Sequence, residues 1–315
     1  MADTTSVLDL EALLTPIDGD NPSGDSLRYE GTFDQIKEAR REDEALAQGD
    51  WSRDLKVADW PLVIKLATSA LATKTKDFQI AAWLTEGVVK YDRNDRWVAL
   101  RDGLNLLRGL HENFWDTVYP EIDPEDDEGP LAARANVLAA FDARAAVIIR
   151  ELPLTAGQKY SYQQYLESKQ FDIPENLESL EYDQQEKYKA LKTEAETGSK
   201  VTGEDWRKAK SVTTRDFIEA RYALINECWD AYKALDVEMD AKFGRETPGL
   251  GTFKKSLDEI RTLVDLLVKE KQKAEPRADE EAGTSAEGTD GHEGGIALSS
   301  GGGGFAVSQG AIRSR

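Results

Sequence analysis

Between Trp97 and Val118 the large side chains return at steps of three and four. Trp97, Leu100, Leu104, Leu107, His111, Phe114 and Val118 fall on one face of a helix. Asp95 stands at its cap position and Pro120 closes the stretch. Two helices are predicted before it. Asp59 precedes Trp60-Pro61, with proline inside the first turn, and the apolar pattern continues through 62–72. Asp77 is placed to cap a helix over 78–91. This stretch holds four of the seven tryptophans, Trp60, Trp83, Trp97 and Trp115. The rest of the chain is expected to lie against it, each buried large side chain stabilising by roughly 1.5–3 kcal/mol.

In chain order, an amphipathic piece through Val7, Leu10, Leu13 and Leu14 comes first. Residues 16–25 are dense in proline, glycine, asparagine and aspartate and predict a loop. Thr32 is placed to cap a helix through Phe33, Ile36 and Ala39, and the pattern breaks over 49–57. An acidic loop spans 123–130. A helix from Leu131 through Val137, Leu138, Phe141, Ile148 and Ile149, either continuous or broken midway, stops before Pro153. Tyr160, Tyr162 and Tyr165 mark a compact aromatic segment ending at Phe171.

The pattern then changes. Glu, Gln and Lys dominate 172–202, which reads as a partly helical linker. Thr213 or Thr214 opens a helix through Phe217, Leu224, Cys228, Leu235 and Met239, which Gly244 ends. Thr252 opens a return helix through Phe253, Leu257, Ile260, Val264 and Leu267. A lone hairpin buries little surface, so it is expected to find a third element, with Trp206 nearby, or a second copy of itself. Residues 274–315 are mostly Gly, Ser, Ala, Glu and Asp and predict disorder. The fold class is therefore all-α. An N-terminal multi-helix domain (1–171) and a linker (172–202) precede a helical-hairpin domain (203–273) and an acidic, glycine-rich tail (274–315).

Charge narrows the partners. Across 315 residues, 60 acids oppose 40 bases for a net charge of −20, which argues against nucleic acid and anionic membrane surfaces. One cysteine, Cys228, rules out an internal disulfide framework and fits a reducing compartment. Neither a signal peptide nor an apolar run of about 18 residues is read, and a cytoplasmic location is expected.

Candidate chemistry is sparse. Of the two histidines, His292 lies in the tail and His111 on the apolar stripe, where it reads as a hydrogen-bonded core residue. His111-Glu112 is followed by no second histidine in zinc-helix spacing. Residues 123–129 resemble a calcium loop, but its glycine falls one position late and Arg134 occupies the bidentate glutamate's place. Gly249-Leu-Gly-Thr-Phe-Lys254 lacks phosphate-loop spacing and follows a predicted helix, and no strand is predicted before Gly301 to Gly304. Cys228 reads as a small hydrophobe on its stripe. No catalytic residue, metal ligand or cofactor site is read, and an enzyme is not expected.

The front half opens on Leu14-Thr-Pro16-Ile17, then Asn21-Pro22-Ser-Gly24 and Leu27-Arg28-Tyr29, followed by Phe33, Ile36, Ala39 and Arg40. Together with Trp60, Lys76-Asp77-Phe78, Ala82-Trp83-Leu84 and the stretch from Trp115 to Pro120, this order resembles the ImpA N-terminal domain family of bacterial type VI secretion. Trp60 opens the next helix. Lys76-Asp77-Phe78 with Ala82-Trp83-Leu84 resembles the family's central signature, with Thr75 in place of its usual serine. Gly103-Leu104, Leu107 and Trp115-Asp116-Thr-Val-Tyr119-Pro120 resemble its closing helix. The similarity covers about residues 10–155 closely and the hairpin more loosely.

The resemblance implies a non-enzymatic assembly protein, a scaffold for baseplate, membrane-complex, tube and sheath proteins that works as a homo-oligomer. Its competitor is an effector-specific adaptor or chaperone of the same machine. The resemblance also implies a C-terminal ring-forming domain, of which Ile312-Arg-Ser-Arg315 resembles the first residues, so a fragment or a ringless member is expected. Pro16, Ile17, Pro22, Gly24, Trp60, Lys76, Asp77, Trp83, Trp115, Tyr119 and Pro120 are read as shaping backbone or core. Arg28 and Tyr29, beside a polar loop, are the expected partner contacts.

Overall fold

Three aspartates open three consecutive helices, as their positions predict. The Asp59 carboxylate accepts from the Leu62 amide, that of Asp77 from Gln79 and Ile80, and that of Asp95 from Trp97. Each satisfies amides that a helix start leaves without an intrahelical partner. The computed structural model describes residues 6–43 and 55–277. Its helices are α1 (Leu10–Leu14), α2 (Thr32–Arg40), α3 (Trp60–Thr73), α4 (Phe78–Lys90), α5 (Arg96–Phe114) and α6 (Ala132–Arg150). They continue as α7 (Tyr162–Gln170), α8 (Tyr182–Thr197), α9 (Gly203–Val212), α10 (Arg215–Phe243) and α11 (Gly251–Ala274). Among the described residues there is no strand, only three isolated bridges. The fold is all-α.

Helix α4 sits at the centre, with every residue from Ile80 to Val89 buried, as expected of a helix covered on all sides. Helices α3, α5 and α6 surround it. The crossing with α5 is close because position 103 lacks a side chain. A Cβ on Gly103 would lie 2.3 Å from the Thr85 methyl. Trp97 is fully buried, and its indole N–H donates to the Pro153 carbonyl at 3.1 Å, which removes the cost of burying that group.

The hairpin set apart by sequence reading shares its core with these front helices. Helix α10 lies along α5, and α11 along both α10 and α6. The Cys228 thiol reaches the Trp97 carbonyl at 3.2 Å. Phe243 meets Trp115 edge-on at 5.0 Å, and Phe253 lies 6.4 Å from Phe141. Ion pairs at the margin join Arg101 to Glu227 (2.7 Å), Arg221 to Asp95 (3.2 Å) and Arg150 to Glu259 (2.7 Å). Apart from residues outside the described set, the chain as far as Glu275 forms one compact unit. The uncovered apolar stripes that gave the reason to expect a second copy on the hairpin are buried inside that unit. Trp206, on α9, instead packs on Tyr165 of α7 at 5.0 Å.

Of the two forms open for α6, the helix is unbroken. Two local expectations are corrected. Gly31, in left-handed conformation, takes the cap position of α2, and Thr32 is its first residue. Leu250 precedes α11 and its side chain caps nothing, so Thr252 lies within the first turn. The segment 172–202 carries α8, whose sole buried residue is Ala195. The tail with His292 and the glycine run, the ending at 312–315, and most of 49–57 lie outside the described residues.

Candidate functional site

The motif residues converge where three extended segments meet. Asp25 donates its amide to the Lys74 carbonyl (3.0 Å) and Lys76 donates to that of Ser23 (2.8 Å). On the other side Phe78 donates to Tyr119 (2.9 Å) and Tyr119 donates to Lys76 (3.0 Å). The Tyr119 hydroxyl donates to the Gly24 carbonyl at 3.0 Å, and the Asn21 amide reaches the same hydroxyl at 3.2 Å. Ser23 and Thr117 share a hydroxyl contact of 2.7 Å. Gly24 is required here. Its φ is +66°, and a Cβ would stand 2.1 Å from the Lys74 carbonyl oxygen.

Buried charges hold this junction to the helix ends. Lys76 is fully buried and its ammonium donates to the carbonyls of Leu13 (2.7 Å) and Leu71 (2.6 Å). Both lie in the last turns of helices, α1 and α3, where carbonyls lack intrahelical partners and the dipole favours a cation. Its ammonium also lies 5.5 Å from the Phe114 ring centre. Burial lowers the Lys76 pKa to about 8. The adjacent Asp77 caps α4. Burial raises its carboxyl to about 7, against the pull of the Ile80 and Gln79 amides and of Arg28.

Arg134 plays the corresponding part for α5. It is fully buried and donates to the carbonyls of Trp115 (2.6 Å), Pro120 (2.6 Å) and Val118, with its guanidinium 4.7 Å from the Trp115 ring centre. Burial lowers its pKa to about 10. Sequence reading missed this residue. The available signal was an arginine on the same helical face as Val137, Leu138 and Phe141. Glu86 was missed as well. It is nearly buried on α4 and pairs with both Arg40 and Arg144 (2.8 Å) over an apolar cavity of about 70 Å³.

The remaining motif residues lie around the junction. Trp83 is buried, with Phe33 edge-on at 5.1 Å and the Arg40 guanidinium 5.1 Å from its ring centre. Trp60 and Trp115 are half-buried against the core, whereas Pro16 and Pro22 are exposed. Ile17 donates its amide to the Pro22 carbonyl at 2.9 Å, closing the first loop. His111 is fully buried between Phe78 (4.4 Å) and Trp115 (5.7 Å). Its Nδ1 contacts the Leu107 carbonyl at 2.8 Å, so Nδ1–H is the donor, and Nε2 has no partner. Burial lowers its pKa to about 4. The buried Cys228 thiol is pushed far up by desolvation. Among the described residues no group of three or more His, Cys, Asp or Glu is placed to hold a metal ion.

Arg28 and Tyr29 stand apart from this lattice. Both are exposed, Tyr29 by 91%. They form one wall of an open groove of about 1380 Å³, together with Phe33, Asp34 and Lys37 of α2. Asp77, Gln79 and Trp83 make its floor. The opposite wall is the chain from Tyr119 to Asp126 with the first turns of α6.

Such a fold and site define an all-helical protein whose motif residues lock backbone segments together beneath an open groove. Comparison with known proteins finds three likenesses. Residues 14–143 match the family model described as ImpA, N-terminal, type VI secretion system. Over 155 residues the chain is 32% identical to type VI secretion system component TssA1 of Pseudomonas aeruginosa, a match covering 49% of this chain and 44% of that protein. The chain thus spans less than half the length of this curated relative. It also resembles a solved structure, the N-terminal domain including the conserved ImpA N-terminal region of the TssA component from Burkholderia cenocepacia. The TM-score is 0.68 at 27% identity, covering 86% of this chain and 98% of that one. The three likenesses together support a TssA protein of the type VI secretion system. No described helix is long and apolar enough to cross a membrane.

Proposed function

We propose that the chain is a non-enzymatic assembly component of the type VI secretion system. In this reading it docks other proteins of the machine through the groove beside Arg28 and Tyr29. It thereby helps recruit the baseplate and membrane complex and coordinate polymerisation of tube and sheath. One observation carries the proposal. The motif side chains of Lys76, Asp77 and Tyr119 are spent on fixing backbone, while Tyr29, within the same series of motifs, is left 91% exposed at the groove wall. A large aromatic ring in water gains most from being covered by a partner.

The test is capture from a lysate containing the secretion apparatus, read by mass spectrometry. The native chain is expected to retain proteins of the apparatus, and Arg28→Ala/Tyr29→Ala to lose them while circular dichroism stays unchanged. Undiminished capture by a folded double variant would overturn the reading. Recovery of effectors in place of apparatus proteins would make the chain a cargo adaptor.

A further inference from the structure

Resting on that docking reading, we propose that the groove takes a basic partner segment bearing a large apolar side chain. Its lysines or arginines face the wall at 121–128. The first observation is charge. Residues 121–128 hold six acids, Glu121, Asp123, Glu125, Asp126, Asp127 and Glu128, and no base. Three of these, Glu121, Asp123 and Asp126, line the groove. Asp34 adds a fourth carboxylate from the opposite wall, against two bases, Arg28 and Lys37. The Arg28 charge is shared with Asp77, whose carboxyl it pulls down in pKa.

The second observation is that these acids differ from the paired carboxylates elsewhere on the front half. Glu86 pairs with Arg40 and Arg144, Asp102 with Arg101, Asp95 with Arg221, and Glu38 with Arg41 and Lys56. Among the described residues Asp34, Glu121, Asp123 and Asp126 make no ion pair. Asp123 and Asp126 accept only from amides of their own loop, those of Glu125 (3.0 Å) and Glu128 (2.9 Å). Like charges crowded on one loop repel, and an incoming cation relieves that repulsion. The third observation is apolar surface on both walls, Tyr29 on one and Ile122, 36% exposed, on the other, above Trp83. Cations at the rim set encounter rate and orientation, while an apolar anchor between the walls supplies residence time.

The test uses the full chain and a fluorescein-labelled peptide of lysine and glycine around one leucine. A peptide with glutamate in place of lysine serves as the control, and fluorescence anisotropy is the readout. Glu121→Gln/Asp123→Asn/Asp126→Asn keeps the loop's amide acceptors while removing charge. Asp183→Asn/Glu194→Gln/Glu196→Gln removes the same charge from the exposed face of α8. The groove variant is expected to weaken binding of the lysine peptide roughly tenfold or more, the α8 variant to leave it unchanged, and added salt to weaken it in the native chain. Equal weakening by both variants, or equal binding of the glutamate peptide, overturns the proposal. Lysate capture separates the two levels. Capture that depends on Arg28 and Tyr29 but not on the three acids sinks only the basic-segment proposal, whereas capture independent of Arg28 and Tyr29 sinks the docking reading itself.

Discussion

Asp142, midway along α6, caps a helix that begins more than a hundred residues later. Its carboxylate accepts the Phe253 amide at 2.7 Å and the Thr252 amide at 3.1 Å, the first turn of α11. Leu250, in the cap position, has no side chain able to do this, so the start of α11 is completed by another helix. The contact fixes the hairpin's end to the front half by a directional bond, in addition to the apolar packing of Phe253 near Phe141.

Asp142→Ala is expected to cost about 1 kcal/mol, the usual loss for an N-cap, and Asp142→Asn clearly less. Urea unfolding followed by circular dichroism measures both. A loss no greater than that of an exposed α8 substitution would show that the cap contributes nothing.

Gly24→Ala is expected to cost on the order of 3 kcal/mol, because a left-handed backbone and a contact with the Lys74 carbonyl act together. The Lys74 carbonyl is backbone and cannot swing away as the end of a side chain could. Thermal unfolding reads the effect, and an unchanged midpoint would contradict the geometry of the junction.

Lys76→Met is expected to destabilise by roughly 1–3 kcal/mol at neutral pH, since two helix-end carbonyls lose their donor. Part of that loss is offset because a charge no longer has to be buried. The variant also changes the pH dependence. With the folded pKa lowered to about 8, the unfolded chain binds more protons between pH 8 and the ordinary lysine value. Lys76 therefore contributes a rise in stability across that window, and Lys76→Met should lack it.

Acid gives two opposed slopes. His111, lowered to about 4, makes stability fall as pH drops from the ordinary histidine value towards 4, because the unfolded chain takes up the proton first. Asp77, raised to about 7, acts the other way, and its contribution fades as pH rises from about 4 through 7. His111→Phe is expected to flatten the acid limb, and Asp77→Asn to steepen it. Denaturant titrations at several pH values between about 4 and 7 distinguish the two; parallel curves for all three proteins would refute the assignment.

What the sequence made legible was local. Asp59, Asp77 and Asp95 cap the helices they precede because cap, first turn and apolar stripe are neighbours in the chain. The partners of the motif residues were not legible in this way, since Lys76 reaches Leu13 and Tyr119 reaches Gly24 across long stretches of sequence. Asp142, Arg134 and Glu86 could not be placed, because their partners lie elsewhere in the sequence and depend on how helices cross. The hairpin shows the same limit. Its stripes are plain in the sequence, but the partner face on α5 and α6 is one stripe among several, and periodicity does not choose between them.

Lys76 has a mechanical consequence. One ammonium holds the trailing ends of α1 and α3, its neighbour Asp77 starts α4, and the same short segment is laced to Gly24 and Tyr119. Tension applied to a partner seated at Tyr29 would enter the molecule near this knot and be divided among several helices at once. The front half would then transmit force as a rigid coupling instead of unravelling from its rim.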